Sequence, residues 1–290
     1  MEVKQPTTFE EQLQKLIERD CIIADETFCK EALGRINYYR LSAYFLPFKK
    51  ADGKYYEGTT FGKVIRIYEF DRKMRSRLFS LVEEIEIYLR TQFSYYFAHK
   101  YGALGYLDES SYNERHDHER FEMLINSEIS NNSKTLFIKH HVEHYDGKFP
   151  IWVISELFTF GMLSHFFGDM INADQKHLAN SMFKTTSKNL KSWLRCCTDL
   201  RNICAHYGRL YYRIFPAIPA TPTEFQTMSK YTLGRRLFDN ILMLKFLYPD
   251  AGKWNNEFLT GLDGLLEEYS DCVSLKHIGF PQDWTKYLTK

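Results

Sequence analysis

The chain has 290 residues, with 38 Lys and Arg against 37 Asp and Glu and a formal charge of +1. That length suffices for one large helical domain or two modest ones, and the near neutrality excludes a globally basic nucleic-acid binder. Any RNA contact must therefore come from local basic clusters such as residues 195–213. Gly (15) and Pro (8) are sparse beside 23 Phe and 20 Tyr, and no Pro/Gly/Ser-rich linker divides the chain, so a compact helix-rich body is predicted. The six Cys form no CxxC pair and MEVKQPTTFEEQ lacks a charged-then-apolar signal pattern, which predicts a thiol-reduced, cytoplasmic protein.

In chain order, Thr7 and Thr8 precede Glu10 and Glu11 in two overlapping capping-box patterns, and Phe9, Leu13, Leu16 and Ile17 follow at helical spacing. Asp25 predicts the N-cap of a second helix ending near Gly34. INYYRLSAYFLPF then reads as another helical segment, stopped by Pro47. From about Phe61 to Tyr101, apolar positions recur at Val64, Ile67, Met74, Leu78, Leu81, Ile85, Tyr88, Leu89 and Phe93, the strongest helical period in the chain. Shorter helices are predicted over 112–129, 135–145, 150–168 and 173–183, then 187–207 behind Thr186 or Ser187, and finally 231–247 and 254–269. The apolar stretch from Ile151 to Ile171 is interrupted by Glu156, His165 and Asp169 and predicts a buried helix rather than a membrane span. The expected fold class is all-α.

The segment RNICAH carries the chemistry. On a wheel of roughly 100° per residue, Trp193, Cys197, Leu200 and Cys204 fall on one apolar face, with Arg195, Asp199, Asn202 and His206 opposite. Arg201 falls at the margin of the apolar face, where a guanidinium needs an anionic partner. Glu83, Glu84 and Glu86 of the long helix are candidates, and in that reading His206 merely caps the helix C-terminus. Five residues separate Arg201 from His206, which sets them about 140° apart on a regular helix. Either the helix loosens near Ala205, or the Arg201 side chain wraps round, or each arginine works with the histidine of a second copy.

RNICAHYGRLYYR resembles the R-x4-H signature of the HEPN superfamily, specifically the AbiD/AbiF-type abortive-infection proteins. The blocks KQPTTFEEQLQKLIERD, INYYRLSAYFLPF, FDRKMRSRLFSLVEEIEIYLRTQF and PIWVISELFTFGMLSHFF follow in matching order, so the resemblance covers most of residues 4–215. It implies a HEPN-like helical core over 51–250, with an N-terminal helical segment (1–50) packed on it and a C-terminal helical extension (251–290). It implies a homodimer in which paired motifs form a composite, metal-independent endoribonuclease site acting in anti-phage abortive infection. It also implies control by a small structured non-coding RNA, with no cofactor, no membrane and no need for DNA. Arg201 matches the motif arginine, His206 the motif histidine and Asn202 the polar residue that commonly follows the arginine.

Such a site suits attack of a ribose 2′-hydroxyl on the adjacent phosphorus. Histidine transfers protons near neutral pH, and arginine stabilises the developing phosphate charge. Arg195, Arg209 and Arg213 are candidate phosphate contacts, and Tyr212 stacks on an unpaired base or simply packs. Arg35, Tyr39 and Arg40 of the basic and aromatic INYYR region form a second candidate RNA grip, although buried tyrosines of an amphipathic helix explain them equally well. His140 and His144 around Glu143, and His116 and His118 around Asp117, have metal-ligand spacing, but polar-surface histidines are the commoner origin of such patterns. No phosphate-loop or dinucleotide fingerprint occurs. A non-catalytic RNA-binding module, with the same Arg and His gripping phosphates, is the competing function, and a purely structural helical protein the third.

Overall fold

A computed structural model describes residue 3, residues 5–222 and residues 231–290. The described chain is all-α, with only isolated bridges such as Ile22 with Thr60 and Lys49 with Tyr55 outside the helices. One apolar cluster runs from Leu13 to Leu288, so both chain ends share a core with the middle.

Two short helices open the fold. For α1 (Phe9–Glu18), the capping box chosen is that of Thr8 and Glu11: the Glu11 N–H donates to the Thr8 hydroxyl at 3.2 Å, and the Thr8 N–H donates to the Glu11 carboxylate at 2.7 Å. Helix α2 (Glu26–Arg35) begins at Asp25, whose carboxylate accepts from the Phe28 N–H. The predicted INYYRLSAYFLPF helix is shorter than expected, because α3 spans only Tyr38–Ser42 behind an Asn37 cap. Pro47 lies within a separate 3-10 turn, Leu46–Phe48, where its missing N–H costs nothing in a first turn.

The long helix α4 (Phe61–Tyr101) is the spine, 41 residues and thus about 60 Å in length. The Thr60 hydroxyl accepts from the Lys63 N–H to start it, and Gly102 ends it at φ 84°, a conformation that disfavours a Cβ. Its buried residues step by three and four, which is why the period was visible.

After α4, α5 (His118–Asn131) starts late because Asp117 supplies the N-cap, and α6 (Leu136–His144) follows. The segment 150–168, expected as one helix, is broken. Helix α7 (Ile151–Ile154) passes through a 3-10 turn to Phe158, which is extended at ψ 125°. The Arg90 guanidinium donates to the freed Phe158 carbonyl at 2.9 Å, and the Thr159 hydroxyl restarts the chain as α8 (Phe160–Asp169) by accepting from the Met162 N–H. No described helix is long and apolar enough to cross a membrane.

Helices α9 (Asn172–Phe183) and α10 (Ser187–Ala205) come next, and α10 packs against α4, α8, α9 and α11 (Leu237–Leu247). Helix α11 starts later than predicted because the Asp239 carboxylate collects the N–H groups of Gly234 and Arg236. The remaining chain contains a π-helical turn, Trp254–Leu259, which runs into the helix Thr260–Glu268. It is tied down where the Trp254 indole donates to the Leu288 carbonyl at 2.7 Å.

Candidate functional site

Helix α10 presents the motif. The Thr186 hydroxyl accepts from the Asn189 N–H, and Leu190, Trp193, Leu194, Cys197, Leu200 and Cys204 are buried on the predicted face, with Cys196 also buried. Burial pushes the thiols of Cys196 and Cys204 up to about 11 and about 12, and that of Cys197 well up, so none is a ready nucleophile.

The helix ends at Ala205, and His206 is its C-cap at φ −93° and ψ 18°. The Tyr207 N–H donates to Cys204 and the Gly208 N–H to Ile203 at 2.7 Å, the paired bonds of a Schellman ending. The left-handed position of that ending is held by Tyr207 at φ 57° where glycine is usual. A backbone outlier of this kind costs on the order of 1–3 kcal/mol and needs the surroundings to hold it. Gly208 is needed for a different reason, since a Cβ there would stand 3.1 Å from the Ile203 carbonyl oxygen. The chain thus leaves the helical path after His206, which is exposed, and among the described residues its side chain makes no hydrogen bond or ion pair. Asn202, one turn earlier, is likewise exposed.

Three buried or half-buried groups lock the turn after His206. Asp71, fully buried in α4, accepts from the N–H groups of Leu210 (3.1 Å) and Tyr211 (2.6 Å), from the Tyr44 hydroxyl (2.7 Å) and from Arg75. Burial pushes the Asp71 carboxyl above its ordinary range, while Arg75, Tyr44 and the two N–H groups pull against it. Arg75 also donates to the Gly208 carbonyl at 3.3 Å, and Arg40 donates to the Tyr207 carbonyl. Arg40 thus brings the INYYR region onto the end of the motif, and Arg209 adds a bond to the Ala43 carbonyl at 2.7 Å.

Arg201 faces α4. Its Nε lies 3.9 Å from a Glu86 oxygen, and its guanidinium stands 5.9 Å from the centre of the Phe79 ring. The carboxylate partner expected for it is therefore Glu86, but the contact is longer than a hydrogen bond. Glu86 gives its shorter contact, 2.8 Å, to Arg90. Burial raises the Glu86 carboxyl above its ordinary range, against the opposing pull of Arg90 first and Arg201 second. Among the described residues the buried Arg201 Nε has no hydrogen-bond partner, and the Arg201 side chain helps to line a cavity of about 330 Å³ with Phe79, Glu83, Glu86, Ile87 and Arg90. No contact joins Arg201 to His206 within the described chain; the two stand on different sides of α10.

The other basic and aromatic candidates divide clearly. Arg195 is exposed and among the described residues has no ion pair, and Tyr39 is 85% exposed. Arg35 is exposed beside Glu31, 3.9 Å away in its own helix, and no described contact links it to the motif. Arg209 and Arg213 are half-buried and spend donors on the carbonyls of Ala43 and Arg209. Tyr212, at φ 57°, meets the His277 ring edge-on at 5.0 Å and lies under Arg236 at 5.7 Å. Among the described residues no group of three or more His, Cys, Asp or Glu has metal-site geometry. Asp71, Arg75 and Arg90 were not singled out from the sequence, although an Asp and an Arg at i, i+4 within the apolar register of α4 were a readable signal.

The fold and this site define an all-α protein that displays an arginine–histidine motif at the end of a buried-faced helix. A family model described as Abi-like protein matches residues 31–212, more than half of the chain, and the chain belongs to that family. Membership points to a role in abortive infection. No curated protein and no solved structure matches the chain.

Proposed function

We propose that this protein is a metal-independent endoribonuclease of the HEPN type, which acts in an anti-phage abortive-infection system under the control of a small non-coding RNA. The observation that carries the reading is the helix ending at Ala205, which leaves the His206 imidazole exposed and unpartnered, while Arg201 keeps a buried Nε without an acceptor. One group is suited to proton transfer and the other to an anion.

In the proposed reaction His206 accepts the proton of a ribose 2′-hydroxyl as its oxygen bonds to the adjacent phosphorus. The bond from phosphorus to the 5′-oxygen breaks, and that oxygen takes the proton back from the same imidazolium. Arg201 offsets the extra negative charge on the phosphoryl oxygens. Because Arg201 and His206 point to different sides of one helix, a homodimer that pairs each arginine with the other copy's histidine supplies the missing proximity. Asn202, aligned with His206 on the same face, orients the substrate.

Incubation of the purified protein with RNA in excess chelator is expected to leave fragments with 2′,3′-cyclic phosphate and 5′-hydroxyl ends. Cleavage that requires magnesium and leaves 3′-hydroxyl ends would overturn the mechanism. A second reading, a non-catalytic RNA-binding module, draws on the Glu86 contact, which already engages Arg201 within its own chain. It predicts RNA binding with no cleavage under any inducing condition.

A further inference from the structure

A second cavity borders α10, and two cations line it. Lys191 and Arg115 border a cavity of about 660 Å³, together with Asn113, Glu114, Asp169 and Asn172. Lys191 is half-buried, and among the described residues neither its ammonium nor the Arg115 guanidinium has a hydrogen-bond or ion-pair partner. Burial holds the Lys191 ammonium below its ordinary range, and Arg115 pushes it the same way while Asp169 opposes. Of the two carboxylates present, Asp169 is already engaged by His116, whose Nδ1 lies 3.2 Å away. Glu114 is exposed. Glu114 and Asp169 match Lys191 and the exposed Arg115 in number, but among the described residues neither carboxylate lies within ion-pair distance of either cation.

The place of Lys191 on the helix points to what its ammonium would hold. At roughly 100° per residue, Lys191, Arg195, Asn202 and His206 fall within one stripe, with Thr198 between and Asp199 at its edge. Arg195, Asn202 and His206 are exposed along it. From residue 191 to residue 206 the stripe covers roughly 22 Å. An extended single strand of roughly four nucleotides or a few more spans such a length, the lower end of the site sizes of single-strand binders.

We propose that the Lys191–Arg115 cavity holds a backbone phosphate of the same single-stranded RNA whose scissile phosphodiester lies at His206, so that the strand tracks along one face of α10. The proposal rests on the RNA-cleavage reading above. It assigns the cavity a positioning role: by fixing the strand several nucleotides from the reacting bond, it sets a minimum substrate length.

The test uses the full chain and fluorescent 2′-O-methyl oligouridylates, which lack the attacking hydroxyl and so are not consumed. With lengths from about two to about eight nucleotides, wild-type affinity is expected to rise once the oligomer reaches the cavity. In Lys191→Glu and Arg115→Glu proteins that gain with length should shrink about tenfold, and in the milder Lys191→Gln protein the salt dependence should fall by about one counterion. Thermal melting confirms that each variant is folded, and the glutamine variant serves if a glutamate variant is not. A wild-type protein whose affinity rises with length, with the same gain in every folded variant, overturns this inference alone. A wild-type protein that binds none of the oligomers overturns the RNA reading and this inference together.

Discussion

His206→Ala protein folds as the parent does and cleaves RNA roughly 10²- to 10⁴-fold more slowly, the usual contribution of a general acid or base. The fold should tolerate the change because the imidazole is exposed and makes no hydrogen bond within the described chain, and because the backbone cap donates from the His206 N–H to the Asn202 carbonyl whatever the side chain. RNA affinity should fall little, since the strand's phosphate contacts are assigned mainly to Lys and Arg side chains that the substitution leaves in place. Gel-resolved cleavage rates beside thermal melts check both halves. A folded His206→Ala protein that retains parental cleavage removes the histidine from the chemistry.

Asp71→Asn lowers stability by about 3–5 kcal/mol, the cost of breaking a buried ion pair from one side. The substitution leaves Arg75 without its carboxylate and replaces one acceptor oxygen by a donor that faces the Leu210 and Tyr211 N–H groups. The damage reaches the motif, because the same carboxylate fixes the chain that leaves the left-handed Tyr207. Cleavage should therefore fall further than His206 exposure alone suggests, even at temperatures where the variant is folded. Urea titration reads the stability. A loss under about 1 kcal/mol would show that the carboxylate is dispensable to the turn.

How far the sequence leads can be judged residue by residue. Local patterns were legible: Thr8 with Glu11, Asp25, Thr186 and the period of α4 depend on neighbours within a few positions, and each appears where that chemistry requires. The wheel placed Arg201 at the edge of the apolar face, and Glu86 answers it. What was not legible depended on distant partners. The break at Phe158 exists because Arg90 of α4 takes its carbonyl, and no local signal in the apolar run from Ile151 announces that. The approach of Arg40 to the Tyr207 carbonyl joins segments from opposite ends of the family-matched region. The 140° angle was a real difficulty, and it stands: α10 stays helical through Ala205, His206 keeps the bond to the Asn202 carbonyl, and no described contact joins Arg201 to His206.

That separation gives the account its sharpest test. Arg201→Ala and His206→Ala proteins are each expected to be inactive, and mixing them under conditions of subunit exchange should restore activity. In a mixed dimer one of two composite sites draws an intact Arg201 from one copy and an intact His206 from the other. With random exchange, about a quarter of parental cleavage should return. If exchange is verified and no cleavage returns, the two residues do not act across a dimer as proposed.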